Sequence, residues 1–431
     1  GLDPAIDRYL DAVAACRARD GGDAYPGSPW LLAYALRAQD RIAACELQAE
    51  EAHALKANFV DEPRIAVHAR DGYAAMKALL PPRFGDTRFN RGLVLVDPPT
   101  GEVSVYDAVD ETETRIGTYG PVDTVAGDGR FAYLRTGART TVIDSGAWTF
   151  DHGDHYHYFT SSPAQVATLD LPVASVTSSN STVAVRSETG ATELLMRERL
   201  GQKSVQRSPL TPPADAAVVA PYGSRVVTVT ADGRIWVTDA AGSAVVPGEC
   251  RQASWAVPTR RAVLFGCDTG AIRVTGGEKN LTVTAAPYPA DAPARRPTRM
   301  HHRARADVVA GVADGTVWML DSRQRSWTVL PIADAVAANT AGDGTILVLH
   351  RDGGLSAHDA LTRTETARTA LFANPVPPSG FQPVIEIDSD RAYVNDAAAR
   401  AVYEIDYADG LRIARTLRTD VSPGLMVEAG R

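Results

Sequence analysis

From about residue 90 onward the chain repeats one device: two short apolar-alternating runs joined by a tight turn. Gly92 to Tyr106 reads Leu-Val-Leu-Val, then Pro-Pro-Thr-Gly, then Val-Ser-Val-Tyr. Similar units run over Phe131 to Asp144, Val183 to Leu195, Val226 to Asp239, Ala262 to Val274 and Val308 to Asp321. Two more start at Ile346 and Ala392. Period-two alternation predicts strands half or fully buried in a sheet. Asp-Gly at 232–233, 314–315 and 352–353 predicts type I′ hairpin turns, which need positive φ at both central residues. Eight such units, spaced roughly 35–50 residues apart, match the length of one four-stranded blade. The expected fold is therefore mainly β: a β-propeller of seven or eight blades over residues 89–431. The irregular spacing leaves the number open, and an array of β-sandwiches is the alternative.

Residues 1–88 read differently, as a small α-helical N-terminal domain. Ile6, Tyr9, Leu10, Val13 and Ala14 recur at helical spacing, with Asp3 placed to cap and Pro4 in the first turn. Asp20-Gly21-Gly22 ends that helix. Ser28-Pro29 opens a second, and Leu31 to Phe59 contains neither Gly nor Pro, so one long helix and a helical hairpin are expected. Arg64 to His68 is either a strand or part of a third helix reaching Leu80.

Composition narrows the function classes. Of 44 basic residues only four are Lys, and they do not cluster. With a net charge of −8 this argues against a nucleic-acid partner. No apolar run reaches the ~20 residues of a membrane span, and no leader pattern begins at Gly1, so any signal peptide is expected to be already removed or left out. Cys16 and Cys45 lie in one half of the chain, Cys250 and Cys267 in the other. Two separated pairs fit two local disulfides and an oxidising compartment, with buried free thiols as the alternative. Elbow, Walker, dinucleotide and His-Glu-x-x-His motifs are absent from the sequence.

The densest chemistry is Asp151-His-Gly-Asp-His-Tyr-His-Tyr158, which holds three of the nine histidines and two carboxylates in eight positions. Neutral imidazole is the commonest zinc ligand, and a carboxylate either ligates or orients a ligating ring. Extended backbone over Asp154–Tyr158 would put His155 and His157 on one face. His152 could join as a third ligand across Gly153, and Asp151 or Asp154 could ligate or orient. A solvated, His-rich loop is the bland alternative. In a propeller, loops from different blades meet at one end of the channel, so His301 or His302 is a candidate further ligand. His53 and His68 are expected to be helix-surface or packing residues, and His350 and His358 are given no role.

Asp144-Ser-Gly-Ala-Trp-Thr-Phe-Asp-His-Gly-Asp-His-Tyr-His-Tyr158 resembles the signature of the AztD-type zinc metallochaperones, over about fifteen residues. The stretch from Cys250 through Phe265-Gly-Cys267-Asp-Thr-Gly270 is similar to a disulfide-bearing blade hairpin of that family. The family pattern places a His four residues after the first Cys, where this chain has Ser254. The resemblance covers the propeller alone. It implies a periplasmic or lipid-anchored propeller, with a lipid at the mature N-terminus, acting as a monomer or as part of an envelope complex. It implies no organic cofactor and no catalysis, only Zn²⁺ passed to the zinc-specific solute-binding protein of an ABC importer. Because ligating His must be neutral, affinity should fall below about pH 6.5. Two other readings compete. One is a hydrolase built on zinc-bound water. The other is a non-enzymatic scaffold that docks an envelope or membrane complex, with the metal site degenerate.

Overall fold

The structure is a computed structural model. It describes every residue except 1–3, 25–26, 36–41, 47, 63, 70–91, 152–155, 260, 278–279, 305 and 431. At positions 4, 5, 28, 43, 150, 151, 156 and 157 it describes the backbone alone. The chain divides into two compact units, Gly1–Thr87 and Arg88–Arg431.

The first unit is α/β rather than all-helical. Helix α1 (Pro4–Asp20) buries Ala12, Val13 and Cys16 and stops at Gly21, whose φ is +108°. Helix α2 spans Ser28–Ala35. The expected long helix does not form. Strand β1 (Ile42–Glu46) and helix α3 (Ala49–Asn58) occupy its second half, and strand β2 (Ile65–Ala69) follows. β1 and β2 pair in parallel, Ile42 opposite Ile65 and Cys45 opposite His68, and α3 is the crossover that parallel pairing needs. Intrinsic helix propensity differs by only tenths of a kcal/mol between ordinary residues, so pairing of Ile42–Glu46 with Ile65 and Val67 overrides it. The same pairing corrects the expected Cys16–Cys45 disulfide. Both thiols are free, Cys45 on β1 and Cys16 buried with its Sγ 3.8 Å from Asp20.

The second unit is an eight-bladed propeller. Its eight predicted strand–turn–strand units are the middle hairpins of the blades. In the first blade, Gly92–Asp97, Glu102–Asp107 and Thr112–Thr118 are completed by the last strand, Leu425–Ala429, which pairs antiparallel with Gly92–Val96. The chain thereby closes the ring on itself. Leu93, Val94, Leu95 and Val96 are all fully buried, because a middle strand is covered on both faces by neighbouring blades. Between the second and third blades Phe131, Tyr133, Val183, Val185 and Leu195 pack together. Between the fourth and fifth, Val227, Val229 and Ile235 meet Val263, Phe265 and Ile272. At roughly 1.5–3 kcal/mol for each large apolar side chain buried, these interblade layers are the main source of stability. Outer strands such as Gly242–Glu249 expose nearly every residue. In the sixth blade, pairing of His301 with Ala310 marks the innermost position.

Cys250 and Cys267 are bonded, with Cα atoms 5.1 Å apart, tying the end of the fourth blade to the middle turn of the fifth. The Asp-Gly turns are not all of the expected type. Asp314 (φ +48°) and Gly315 (φ +68°) are both left-handed, but at 232–233 and 352–353 only the glycine is. There the Asp carboxylate instead accepts the N–H two residues on, from Arg234 at 3.2 Å and Gly354 at 2.8 Å.

Candidate functional site

The second blade carries a hairpin between its third strand, Arg139–Asp144, and its outer strand, Ala164–Leu169. The hairpin pairs Ala147–Asp151 with Tyr156–Thr160, setting Asp151 opposite Tyr156, Phe150 opposite His157 and Trp148 opposite Phe159. The residues that connect the two strands are 152–155. His152, Asp154 and His155 therefore lie outside the described residues. Asp151 and His157 stand on the hairpin strands, where the backbone alone is described.

Each residue of Asp144-Ser-Gly-Ala-Trp148 builds the hairpin root. The Asp144 carboxylate accepts two bonds from Arg130, at 3.1 Å from Nε and 2.7 Å from Nη2, and one from the Gly146 N–H at 3.0 Å. Ser145 bonds the backbone of Ala147 through its hydroxyl. Gly146 turns at φ +76° and lies against the Ser161 carbonyl. Trp148 stacks on Phe159, with centroids 5.2 Å apart, and the Arg130 guanidinium lies 3.6 Å over the Trp148 ring.

Antiparallel connectivity decides which residues share an end of the channel. The first-to-second and third-to-fourth strand connections of every blade leave by one end, the rest by the other. The hairpin is a third-to-fourth connection. His301 and His302 lead from the innermost position of the sixth blade toward its next strand, so they come to the same end. Thr149 of the hairpin, His301, His302, Glu386 and Glu428 line one channel cavity of about 1050 Å³. The His302 Nδ1 lies 2.7 Å from the Arg303 carbonyl and donates to it. Ser254 also lines this cavity, but it precedes its inner strand, Trp255–Pro258, at the disulfide end. Four residues at about 3.3 Å rise put it roughly 13 Å from the hairpin end.

A second cluster went unread in the sequence. His350, His358 and Glu365 form a group of potential ligand atoms within 4.8 Å of one another, and no other group of three His, Cys, Asp or Glu residues meets that limit among the described residues. Its bonds are already filled. His350 Nδ1 lies 3.0 Å from Asp334, and its Nε2 accepts the Ser356 hydroxyl at 2.6 Å. The Ser356 oxygen in turn accepts from His358 Nε2 at 2.8 Å. The Arg368 guanidinium lies 3.3 Å from His350 Nε2 and 3.4 Å from Glu365, so a cationic group already occupies the place of a cation. Asp334, His350 and Ser356 stand in the order of an acyl-transfer triad. Ser356 is fully buried beneath His358, however, so the network braces the seventh blade and offers no nucleophile. The only sequence signal was Ser-x-His on a strand, which places both side chains on one face.

The solved structure of Citrobacter koseri AztD is similar to this chain, with a TM-score of 0.64 and 15% identity over 79% of this chain and 98% of that one. The apo form of the same protein aligns with the same TM-score at 16% identity. The propeller is AztD-like in fold. Residues 1–119 match the family described as "Ribosomal RNA large subunit methyltransferase D, RlmJ". The ribosomal RNA large subunit methyltransferase J of Haemophilus influenzae is 40% identical over 85 residues, 20% of this chain and 28% of that protein. The Escherichia coli protein of the same name is 38% identical over 108 residues, 25% of this chain and 37% of that protein. The chain thus spans about a third of these curated relatives. The family match runs past Thr87 into Gly92–Thr118, residues that form three strands of the first blade.

Proposed function

We propose that this chain carries an extracytoplasmic zinc chaperone, a non-enzymatic propeller that holds Zn²⁺ as cargo for the solute-binding protein of an ABC importer. The observation that carries this reading is the convergence at one channel end. The root of the Asp-His-Gly-Asp-His-Tyr-His-Tyr hairpin lines the same cavity as His301 and His302. Ligands drawn from a hairpin and from a separate blade can be displaced one at a time by an incoming partner, which transfer requires. The AztD-like fold and the Cys250–Cys267 bond, which suits an oxidising compartment, also support it. In this reading His155 and His157 ligate, His152, His301 or His302 completes the set, and Asp151 or Asp154 ligates or orients. A competitive zinc titration at neutral pH tests it. The His155→Ala/His157→Ala protein should bind at least 100-fold more weakly than wild type, and His302→Ala about 10-fold. Equal binding of micromolar strength or weaker by wild type and the double variant would sink the proposal.

A second reading rests on residues 1–119: the N-terminal unit takes part in methylation of ribosomal RNA. The parallel β1–α3–β2 arrangement is of the α/β kind. Against an independent enzyme stand the short span of the match and the use of Gly92–Thr118 as propeller strands. An assay for methyl transfer to ribosomal RNA by the full chain decides between the two, with no turnover expected.

A further inference from the structure

We propose that Arg130 and Thr149 are positioning residues that clamp the histidine hairpin from two sides; the inference rests on the zinc reading given above. On one side, the Arg130 guanidinium packs on two aromatic rings at the hairpin root. It lies 3.6 Å over Trp148 and 4.8 Å over Phe131, and the buried Asp144 carboxylate fixes its plane through a two-pronged bond. Trp148 in turn stacks on its cross-strand partner Phe159. Phe131, Arg130, Trp148 and Phe159 thus form a chain of successive contacts from the blade body into the hairpin. The fit is close, since a Cβ on Gly201 would come within 2.8 Å of Arg130 Nη2.

On the other side, the Thr149 hydroxyl donates to the Gly430 carbonyl at 2.5 Å, a bond spanning 281 residues. Gly430 directly follows the strand that closes the ring. The hairpin is therefore pinned both to its own blade and to the closure of the whole propeller. Neither residue is a ligand in this reading. Their effect is to hold the backbone of both hairpin strands, and so to remove the ordering that metal binding would otherwise require. Groups bonded directly to ligating side chains typically change metal affinity about 10–100-fold, and a clamp one step further out is expected at the low end of that range.

Hydrogen exchange on the metal-free full chain, followed by zinc titration, tests the clamp. Trp148→Ala removes the stack and Thr149→Val the hydroxyl, while both leave the Arg130–Asp144 pair intact, so each should fold. Amides of 147–151 and 156–160 should exchange at least 10-fold faster in both variants, with the rest of the blade unchanged, and zinc should bind about 10-fold more weakly. Thr149→Ser should restore both properties. Unchanged hairpin exchange in both variants overturns the clamp, as does faster exchange with wild-type zinc affinity. A wild-type protein that binds no zinc overturns the chaperone reading instead. The exchange data still report on the clamp in that case, so the two failures are distinguishable.

Discussion

Gly146 shows how much one residue can decide. A Cβ there would lie 2.1 Å from the Ser161 carbonyl oxygen, at a φ that L side chains rarely adopt, so no other residue lets the chain leave the blade and return at this point. Asp128 makes a comparable commitment, its fully buried carboxylate held by Arg197 at 3.1 Å. His358 has a pH consequence. Burial holds its basicity below the usual histidine range, the Glu365 carboxylate opposing that shift, while His350 and Arg368 add to it. A depressed folded value means that the unfolded chain takes up the proton more readily. The stability this group contributes is therefore present above the unfolded value, about pH 6.5, and is lost as pH falls through and below it. We expect the urea midpoint to drop between pH 7.5 and 5.5, and the drop to shrink in His358→Gln. An identical pH dependence in the two proteins would exclude His358 as a source.

At the scale of elements, the hairpin was the most legible unit and the N-terminal helices the least. Alternating apolar pairs bury both faces of a blade's middle strands, so their signal is strong and local. Ile42–Glu46 carried no such signal, because its partner lies beyond an intervening helix. The disulfides divide in the same way. Cys250 and Cys267 are brought together by adjacent blades, whereas Cys16 and Cys45 stand on α1 and β1 and do not pair. The closed loop of 17 residues predicts stabilisation of about 3 kcal/mol. Cys250→Ala/Cys267→Ala should therefore melt several degrees lower in a calorimetric scan, and reductant should destabilise the wild type but not the variant. Equal melting of both proteins would show that the fifth blade does not depend on the bond.

For the whole molecule, closure is the decisive event. Leu425–Ala429 supplies the inner strand of the first blade and covers the edge of Gly92–Val96. A chain ending at Gly424 would expose that edge and the apolar residues beside it, and unpaired edges of this kind associate. Such a truncation should aggregate or elute as oligomers in size-exclusion chromatography; a monomeric truncation with native circular dichroism would show that closure is dispensable. The same closure brings Glu428 to the channel and Gly430 to Thr149.

The sequence by itself determined the blade hairpins and the composition of the Asp151–Tyr158 segment, because strand period and turn chemistry act over a few residues. Blade number, the splitting of the long N-terminal helix and the free state of Cys16 and Cys45 depended on pairing between distant segments. So did the partners of His350 and His358, and the placing of His301 and His302 at the hairpin end with Ser254 at the other. A propeller brings such residues together only through the order in which its strands alternate around a closed ring. Local sequence carries no trace of that order until the last strand pairs with the first.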